Sequence, residues 1–325
     1  MEPIRIELPT GLGVGPVNAY LFTQPEVILV DAGIKSEECW TALSDALAGH
    51  GLNPADIARI VITHPHVDHY GLAARIVAES DATVWIAEPG APWLLDSGNL
   101  WQERLDYYRH DFLSHIGLPA EMIDASLAGI QSLEKRADPL PADCIITFRT
   151  DDILQMGGLA WQVLPAPGHA SMQTVFYQTE TRQLISADML LAVAPTPVVE
   201  QPPPGSKRRI PSLPQFLRSL EMLEVLDIEV VYPGHGRPFG DHRRVIRRQR
   251  QRIMDRKAEC LTLVGNGQAT LPELLDSMYA HQPSGSRTVG LWMLVGYLDL
   301  LIADKLVRQE EVGGIWHYRI NGEPQ

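Results

Sequence analysis

The chain has 325 residues, of which 45% are hydrophobic and 21% charged, a composition typical of folded domains and a length sufficient for two of them. Its formal net charge of −13 argues against a nucleic-acid partner, although a local basic patch can override the total. The sequence contains no run of eighteen apolar residues, so neither a membrane-spanning helix nor a membrane partner is expected.

Two features predict a cytoplasmic protein. Residues 1–5 lack the basic and apolar regions of a signal peptide. The cysteines are odd in number and scattered, which is typical of reduced packing residues rather than of a disulfide framework. They are Cys39, Cys144 and Cys260.

The chain begins with two predicted strands and a helix. Residues 4–8 and 18–31 are rich in β-forming side chains, and a turn at residues 23–26 divides the second stretch, which ends at Asp31. Ser36 is placed to begin a helix that Gly49 or Gly51 would end. Asp31 is a candidate cap for this helix.

Residues 63–71, Thr-His-Pro-His-Val-Asp-His-Tyr-Gly, form a dense group of metal-ligand residue types. A buried-strand pattern precedes the group and a helical pattern follows it, so its side chains lie on a strand-to-helix loop, where open α/β sheets place their sites. Imidazoles and carboxylates suit Zn²⁺, with Fe or Mn as alternatives. One tetrahedral ion cannot easily use all four side chains, whereas two neighbouring ions can. These side chains are His64, His66, Asp68 and His69.

Residues 90–140 are rich in aromatic side chains and predict a helical insertion. Trp101, Leu105, Tyr108 and Phe112 recur at helical spacing, and a second helix is expected from Pro119 towards Lys135. The insertion either packs against the sheet or caps the mouth of the metal site. The second interpretation makes Trp101 and Tyr108 candidate residues of the substrate pocket.

Strand-and-helix alternation in both halves of residues 1–240 predicts an α/β fold, a four-layer αβ/βα sandwich. Residues 241–325 then predict a C-terminal domain of three helices and a hairpin, similar to a winged helix. Its first helix is rich in arginine, and residues 270–273 form a capping box. Its hairpin would turn at Gly313 and Gly314.

The ligand pattern resembles that of the metallo-β-lactamase superfamily, in the glyoxalase-II-like branch that carries a C-terminal winged-helix module. The resemblance implies three further ligands at later strand ends: His169, Asp188 and His235. It assigns His64, His66 and His169 to one ion, and Asp68, His69 and His235 to a second. Asp188 would bridge the two ions, and Asp31 would support the metal loop by a hydrogen bond.

For this family the implied chemistry is hydrolysis by a metal-bridging hydroxide, with Asp68 accepting its proton. An aspartate at the bridging position, with His69 in the second site, argues against a β-lactamase. We expect a small-molecule acyl substrate, first of all a thioester or other acyl ester, because the aromatic insertion offers an apolar wall. A phosphodiesterase or ribonuclease of the same fold, and a nucleic-acid-binding regulator with a structural metal site, are the alternatives.

The third helix of the C-terminal domain bears on the question of partners. Residues 288–303 contain no Lys or Arg, and Glu310 and Glu311 on the hairpin would repel phosphates, so sequence-specific DNA binding is not expected. A helix this apolar needs a partner surface, either the catalytic domain or a second chain. We expect a homodimer that uses this module or packs beside it.

Overall fold

The structure is a computed structural model that describes residues 2–192, 196, 198, 205, 206, 208–281 and 284–322; side chains are described from residue 289 in the last range. Residue 1, where the predicted catalytic domain begins, and residues 323–325, where the predicted C-terminal domain ends, lie outside the described part of the chain. Within it, two large sheets and a hairpin are formed. None of the helices in that part of the chain is both long and apolar enough to cross a membrane.

The first sheet has the strand order β1-β2-β3-β4-β5-β6. The first two strands are antiparallel to their neighbours, and β3 to β6 are parallel. Its strands are β1 (Ile4–Leu8), β2 (Val17–Phe22), β3 (Ile28–Val30), β4 (Arg59–Ile62), β5 (Thr83–Ala87) and β6 (Ile145–Phe148). The carboxyl ends of β3 and β4 therefore lie side by side at one edge.

The second sheet has the order β11-β10-β9-β8-β7, with β10 and β11 parallel and the other neighbours antiparallel. Its strands are β7 (Ile153–Met156), β8 (Leu159–Pro165), β9 (Thr174–Gln178), β10 (Gln183–Ala187) and β11 (Val230–Pro233). The two sheets meet face to face, where Tyr20 contacts Tyr232 edge-on at 5.5 Å and Phe22 contacts Trp161 at 5.8 Å.

Helices cover the outer face of each sheet. On the first sheet they are α1 (Glu37–Ala48), α2 (Val67–Tyr70) and α3 (Ala73–Glu79). Ser36 caps α1 by accepting a hydrogen bond from the Cys39 N–H, while Leu43 and Leu47 are buried against the sheet. On the second sheet α7 (Ser212–Glu224) packs through Phe216 and Leu220. The predicted αβ/βα sandwich is confirmed.

The insertion consists of α4 (Ala91–Leu95), α5 (Ser97–Tyr107), a π-helical turn (Tyr108–Phe112), a 3₁₀ turn (Leu113–His115) and α6 (Ala120–Glu134). Its apolar side chains divide between two cores. Trp101 is buried with the first sheet, whereas Tyr108 and Phe112 are buried with the second. Phe112 stacks on Trp292 at 5.2 Å and His115 on Trp316 at 5.3 Å, so the insertion also contacts the C-terminal segment.

The C-terminal segment contains α8 (His242–Gly265), α9 (Leu271–Tyr279), α10 (Ser284–Ala303), β12 (Val307–Val312) and β13 (Ile315–Ile320). The Thr270–Glu273 capping box begins α9, and Gly313 and Gly314 turn the hairpin with positive φ. The apolar residues of α10 join the same core as α7, so this helix is covered by its own chain. A separate domain boundary at residue 240 stays a prediction.

The three thiols differ in exposure, which predicts a difference in reactivity. Cys39 and Cys260 are buried, and burial raises the pKa of Cys39 to about 11 and that of Cys260 to about 12. Cys144 is half-buried. At pH 8 we expect iodoacetamide to label Cys144 alone in the native chain and all three thiols after unfolding, as measured by peptide mass spectrometry. Equal labelling of Cys39 or Cys260 in the native chain would contradict this packing.

Candidate metal centre

The His and Asp residues singled out in the sequence follow four strands whose ends meet at one edge of the sandwich. His64 to His69 follow β4, His169 follows β8, Asp188 follows β10 and His235 follows β11. The two sheets are tied at this edge because Thr174 donates through its backbone N–H and its hydroxyl to the Thr63 carbonyl. All seven predicted residues are brought together.

One group of three imidazoles surrounds a common point. His66 Nδ1 lies 3.0 Å from His64 Nε2 and 2.9 Å from His169 Nε2. Nitrogens that bind one tetrahedral zinc ion are separated by about 3.3 Å. His64, His66 and His169 are therefore spaced and oriented to hold one metal ion.

A second group lies beside the first, and a third, His64, His69 and Asp188, shares a residue with each of them. Asp68, His69 and His235 form the second group, in which Asp68 Oδ2 lies 3.6 Å from His235 Nε2. Asp188 Oδ2 lies 3.3 Å from His169 Nε2 and 3.5 Å from His235 Nε2. This carboxylate stands between the two groups, where it is placed to contact an ion in either.

Hydrogen bonds on the far side of the imidazoles fix which nitrogen faces the cluster. His69 Nδ1 lies 2.7 Å from Asp31 Oδ2, and His235 Nδ1 lies 2.6 Å from the Pro16 carbonyl. His64 Nδ1 lies 3.0 Å from Thr63 Oγ1, which itself donates to Asp31. These contacts leave each Nε2 facing inward, as a metal ligand requires. Asp31 thus contacts both Thr63 and His69 of the ligand loop.

Backbone strain accompanies two of the carboxylates. Asp31 has φ +60°, and Ala187, which precedes Asp188, has φ +43°. The pairing of β10 with β11 shifts register between Ile185 and Ala187, an irregularity that redirects the chain as it leaves the sheet. Non-glycine residues seldom adopt positive φ, and such strain concentrates at functional sites.

The pKa values of the clustered groups are shifted in different directions. Burial, followed by repulsion from neighbouring imidazoles, holds the pKa values of His64 and His66 well below the usual range. Burial opposes the charge on Asp68, but the charge of His69 and the hydrogen bond and charge of His235 together lower the pKa of Asp68 to about 2. Burial likewise disfavours a charged His235, but Asp188 raises its pKa to about 10. The carboxylates therefore favour positive charge at the centre of the cluster.

Three buried ligand atoms lack hydrogen-bond partners among the described residues: His69 Nε2, Asp188 Oδ1 and His235 Nε2. Buried polar atoms without a partner are rare and costly, so each calls for a physical explanation. All three belong to the cluster, and metal ions would satisfy them together. The donor set of imidazole nitrogens and carboxylate oxygens fits divalent transition metals such as Zn²⁺.

A cavity of about 250 Å³ lies at the same edge of the sandwich. Apolar side chains make up much of its wall, including Phe148 and Met172, and Glu88 and Arg149, which also line it, form an ion pair at 2.8 Å. Pro167, two residues before His169, also lines it. None of the seven clustered residues lines this recess, so it lies beside the ligand loops rather than among the ligands.

The insertion holds a buried arginine that the sequence analysis did not single out. Arg104 is buried and lies against the rings of Trp101 and Tyr108, at 4.9 and 5.5 Å. Both rings are buried in the core. Their assignment to the substrate pocket stays a prediction, but their observed contact is with this guanidinium. The available signal was the placement of Arg104 three residues after Trp101 and four before Tyr108, on one helix face.

Comparison with protein families identifies one match. A model described as the metallo-beta-lactamase superfamily matches residues 12–235. This span is more than half of the chain, and it contains all seven clustered residues as well as the insertion.

Individual proteins resemble nearly the whole chain. The probable metallo-hydrolase YqjP of Bacillus subtilis (strain 168) is 26% identical over 326 residues, 98% of each chain. The crystal structure of a metallo-beta-lactamase family protein from Thermus thermophilus has a TM-score of 0.82 at 25% identity, covering 98% of this chain and 99% of that one. A beta-lactamase domain protein from Burkholderia ambifaria has a TM-score of 0.81 at 22% identity, with coverage of 97% and 91%. The shared fold thus extends into the C-terminal helices and hairpin.

Proposed function

The chain belongs to the metallo-beta-lactamase superfamily and is a metal-dependent hydrolase, and on this premise we propose that it uses two divalent ions to hydrolyse a thioester or other acyl ester. The observation that carries the proposal is the convergence of seven imidazole and carboxylate groups, three of which have an unsatisfied buried atom pointing to ligation. The glyoxalase-II-like branch with a winged-helix module remains the subgroup that we propose for it.

We assign the ligands in two sets joined by one carboxylate. His64, His66 and His169 would hold one ion, and Asp68, His69 and His235 the other. Asp188 would contact both, in keeping with its distances of 3.3 Å to His169 and 3.5 Å to His235. A donor set of nitrogen and oxygen without a cysteine favours Zn²⁺, with Fe or Mn as alternatives.

The residues of the chain divide the catalytic tasks between them. Bound divalent ions supply positive charge that activates water and polarises the acyl carbonyl. Asp68 is ionised, because His69 and His235 together outweigh its burial and lower its pKa to about 2, and its carboxylate would accept a proton from the attacking water. Asp31 and Thr63 hold His69 and His64 by hydrogen bonds and so keep the ligand geometry fixed.

The recess beside the ligand loops and the C-terminal helices suit an acyl substrate better than a nucleic acid. The recess beside the ligand loops is largely apolar. The helix α10, which would be the recognition helix of a winged-helix module, is buried against α7 and the insertion. Several arginines of α8 bond to the chain itself: Arg243 to the Glu224 and Leu226 carbonyls, and Arg250 to the Glu224 carboxylate. We therefore propose that this module is structural and does not bind DNA with sequence preference.

A homodimer and a cytoplasmic location stay predictions. The apolar face of α10 no longer motivates the dimer, because its own chain covers that face. A dimer interface would have to lie elsewhere on the surface.

The dinuclear assignment predicts the behaviour of Asp188→Ala. We expect the unaltered chain to bind about two transition-metal ions, and the variant to lose metal and at least about 100-fold in hydrolysis, because the removed carboxylate serves both ligand groups. Elemental analysis and a panel of thioesters, lactones and phosphodiesters measure both effects. Asp124→Ala, an exposed carboxylate on α6 that pairs with Arg109, is the matched control and should retain metal and activity. Full activity in the Asp188 variant would exclude the dinuclear mechanism.

A further inference from the structure

The recess beside the ligand loops is walled largely by apolar groups. Its volume is about 250 Å³, and half of the twelve residues that line it are apolar. Three of these are prolines, which have no backbone N–H to donate to a polar ligand. The apolar lining residues are Ala87, Pro89, Phe148, Pro165, Pro167 and Met172. Such a wall favours a ligand that is itself apolar.

The polar groups around the recess are mostly engaged by the chain itself. Thr174 donates through its hydroxyl to a backbone carbonyl at 3.0 Å, and Gln173 donates through its amide to another at 3.3 Å. Arg149 Nε donates to Glu88 Oε2 at 2.8 Å. A charged ligand group would have to compete with these bonds and lose its own water, whereas an alkyl chain would not.

One wall of the recess belongs to a loop that carries a proposed metal ligand. The residues that line the recess include some before and some after His169 on this loop. Among them, Pro167 and Ser171 are each two residues from His169, so their Cα atoms lie within about 7 Å of its Cα. The loop is held closed because the Ala166 N–H donates to the Gln173 carbonyl at 2.8 Å. The recess is therefore within reach of the first few carbons of a substrate whose carbonyl lies at the cluster.

The volume of the recess limits the length of chain that it can take. An apolar cavity of about 150 Å³ binds benzene, which has six carbons. At the same ratio of carbons to volume, a recess of about 250 Å³ has room for up to about ten carbons. A medium-length aliphatic chain would fill it.

We infer that the recess binds an aliphatic chain of the substrate, of up to about ten carbons, and makes the enzyme selective for medium-chain esters. This inference rests on the proposed hydrolase function and adds the substrate class. Each CH₂ group that leaves water for the recess increases kcat/KM by about fourfold, because its burial stabilises the bound transition state relative to the free substrate.

The test varies chain length on either side of the thioester. One series carries straight acyl chains from acetyl to dodecanoyl on N-acetylcysteamine, and the other consists of S-alkyl thioacetates from ethyl to dodecyl. In at least one series, kcat/KM of the metal-loaded chain should rise about fourfold per CH₂ over three or more consecutive carbons. The series that rises identifies the arm of the substrate that enters the recess. Hydrolysis without such a rise in either series would overturn the inference.

Two variants change the size of the recess in opposite directions. Thr150 is exposed at the lip, and Thr150→Trp should lower the ratio of kcat/KM for the octyl-length and two-carbon chains by at least about tenfold. Met172→Ala should extend the preferred chain by about two carbons even if the melting temperature falls, because it removes the end of a buried side chain.

Thr147→Trp is the matched control for the first variant. Thr147 is exposed on β6 and is not among the residues that line the recess, so the ratio should not change. A ratio that Thr150→Trp leaves unchanged, together with an unchanged preferred length in Met172→Ala, would show that the chain binds elsewhere.

Binding measurements separate this inference from the proposed function. If no thioester is hydrolysed, the acyl-ester proposal fails, but calorimetry with octanoate and with acetate still tests the recess. Octanoate should bind the metal-loaded chain at least about tenfold more tightly and with the more negative change in heat capacity. Thr150→Trp should remove most of this difference, and Thr147→Trp should retain it. Equal binding of the two acids by the unaltered chain would overturn the inference independently of turnover.

Discussion

Replacing Gly234 by alanine is expected to reduce hydrolysis at least about 100-fold and to remove bound metal from a chain that still folds. A Cβ at this position would overlap Asp188 Oδ1 and lie 3.1 Å from His69 Cε1. The backbone cannot retreat easily, because the Gly234 N–H donates to the Ala187 carbonyl at 2.7 Å and its own carbonyl accepts from Asn18 at 2.7 Å. Asp188 must move instead, and a displacement of about 1 Å at a catalytic centre can cost 100-fold in rate.

The measurement for this variant combines metal content, melting temperature and kcat/KM on the best thioester. Gly129→Ala is the matched control, because this glycine lies in α6 with no neighbouring atom within 4 Å of an added Cβ. Alanine is the better helix former there, so stability should rise by about 0.5–1 kcal/mol without a change in activity. A Gly234 variant with full metal content and normal rates would show that Asp188 is not confined as described.

The ligand loop was predictable because its information is local. Six consecutive positions supply four candidate ligands, three His and one Asp, and flanking apolar residues mark the strand before and the helix after them. The later candidate ligands depended on family resemblance, since His169, Asp188 and His235 each stand alone in the sequence. The bonds that orient them were not predictable. For example, the carbonyl that receives the proton of His235 Nδ1 belongs to Pro16, 219 residues away in the chain.

The packing partners of the insertion could not be predicted from its sequence pattern. Its helical spacing correctly predicted α5 and α6, but spacing defines a face and not the partner of that face. Tyr108 and Phe112 pack against Trp292, and Phe112 also contacts Trp316, so their environment is set by residues about 180 to 200 positions later. The burial of Arg104 was not predicted for a related reason. A single arginine on an amphipathic helix is normally exposed, and only tertiary packing buries this one.

The C-terminal helix α10 illustrates the same limit. Its apolar composition correctly predicted that it would be covered, and left open whether the cover is the catalytic region or a second chain. A close contact of Gly296 with Leu213 brings α10 onto α7 of the same chain. The ion pair between Arg209, just before α7, and Asp299 of α10 adds a part-buried connection between the same two segments. The lack of a side chain at Gly296 permits this approach, which no local pattern reveals.

Asp31 is the buried carboxylate on which the orientation of His69 depends. Its Oδ1 accepts the Thr63 N–H at 2.9 Å, while Oδ2 accepts the Thr63 hydroxyl at 2.9 Å and lies 2.7 Å from His69 Nδ1. For His69 to present Nε2 to a metal ion, Nδ1 must carry the proton that Asp31 accepts. An asparagine has the same shape but only one accepting oxygen.

Asp31→Asn is therefore expected to weaken metal binding by about 10- to 100-fold, the range typical for loss of a partner that orients a metal-ligating histidine. If the amide oxygen takes the Thr63 N–H, the amide NH₂ faces His69 Nδ1–H, and two donors repel. Competition with a chromogenic chelator measures the affinity. Thr63→Val, which keeps the backbone N–H and the contact between Asp31 and His69, should lose less. Asp138→Asn, an exposed carboxylate bonded to Lys35, should lose none. Unaltered affinity in Asp31→Asn would mean that His69 is oriented by packing alone, because the hydrogen bond would then be dispensable.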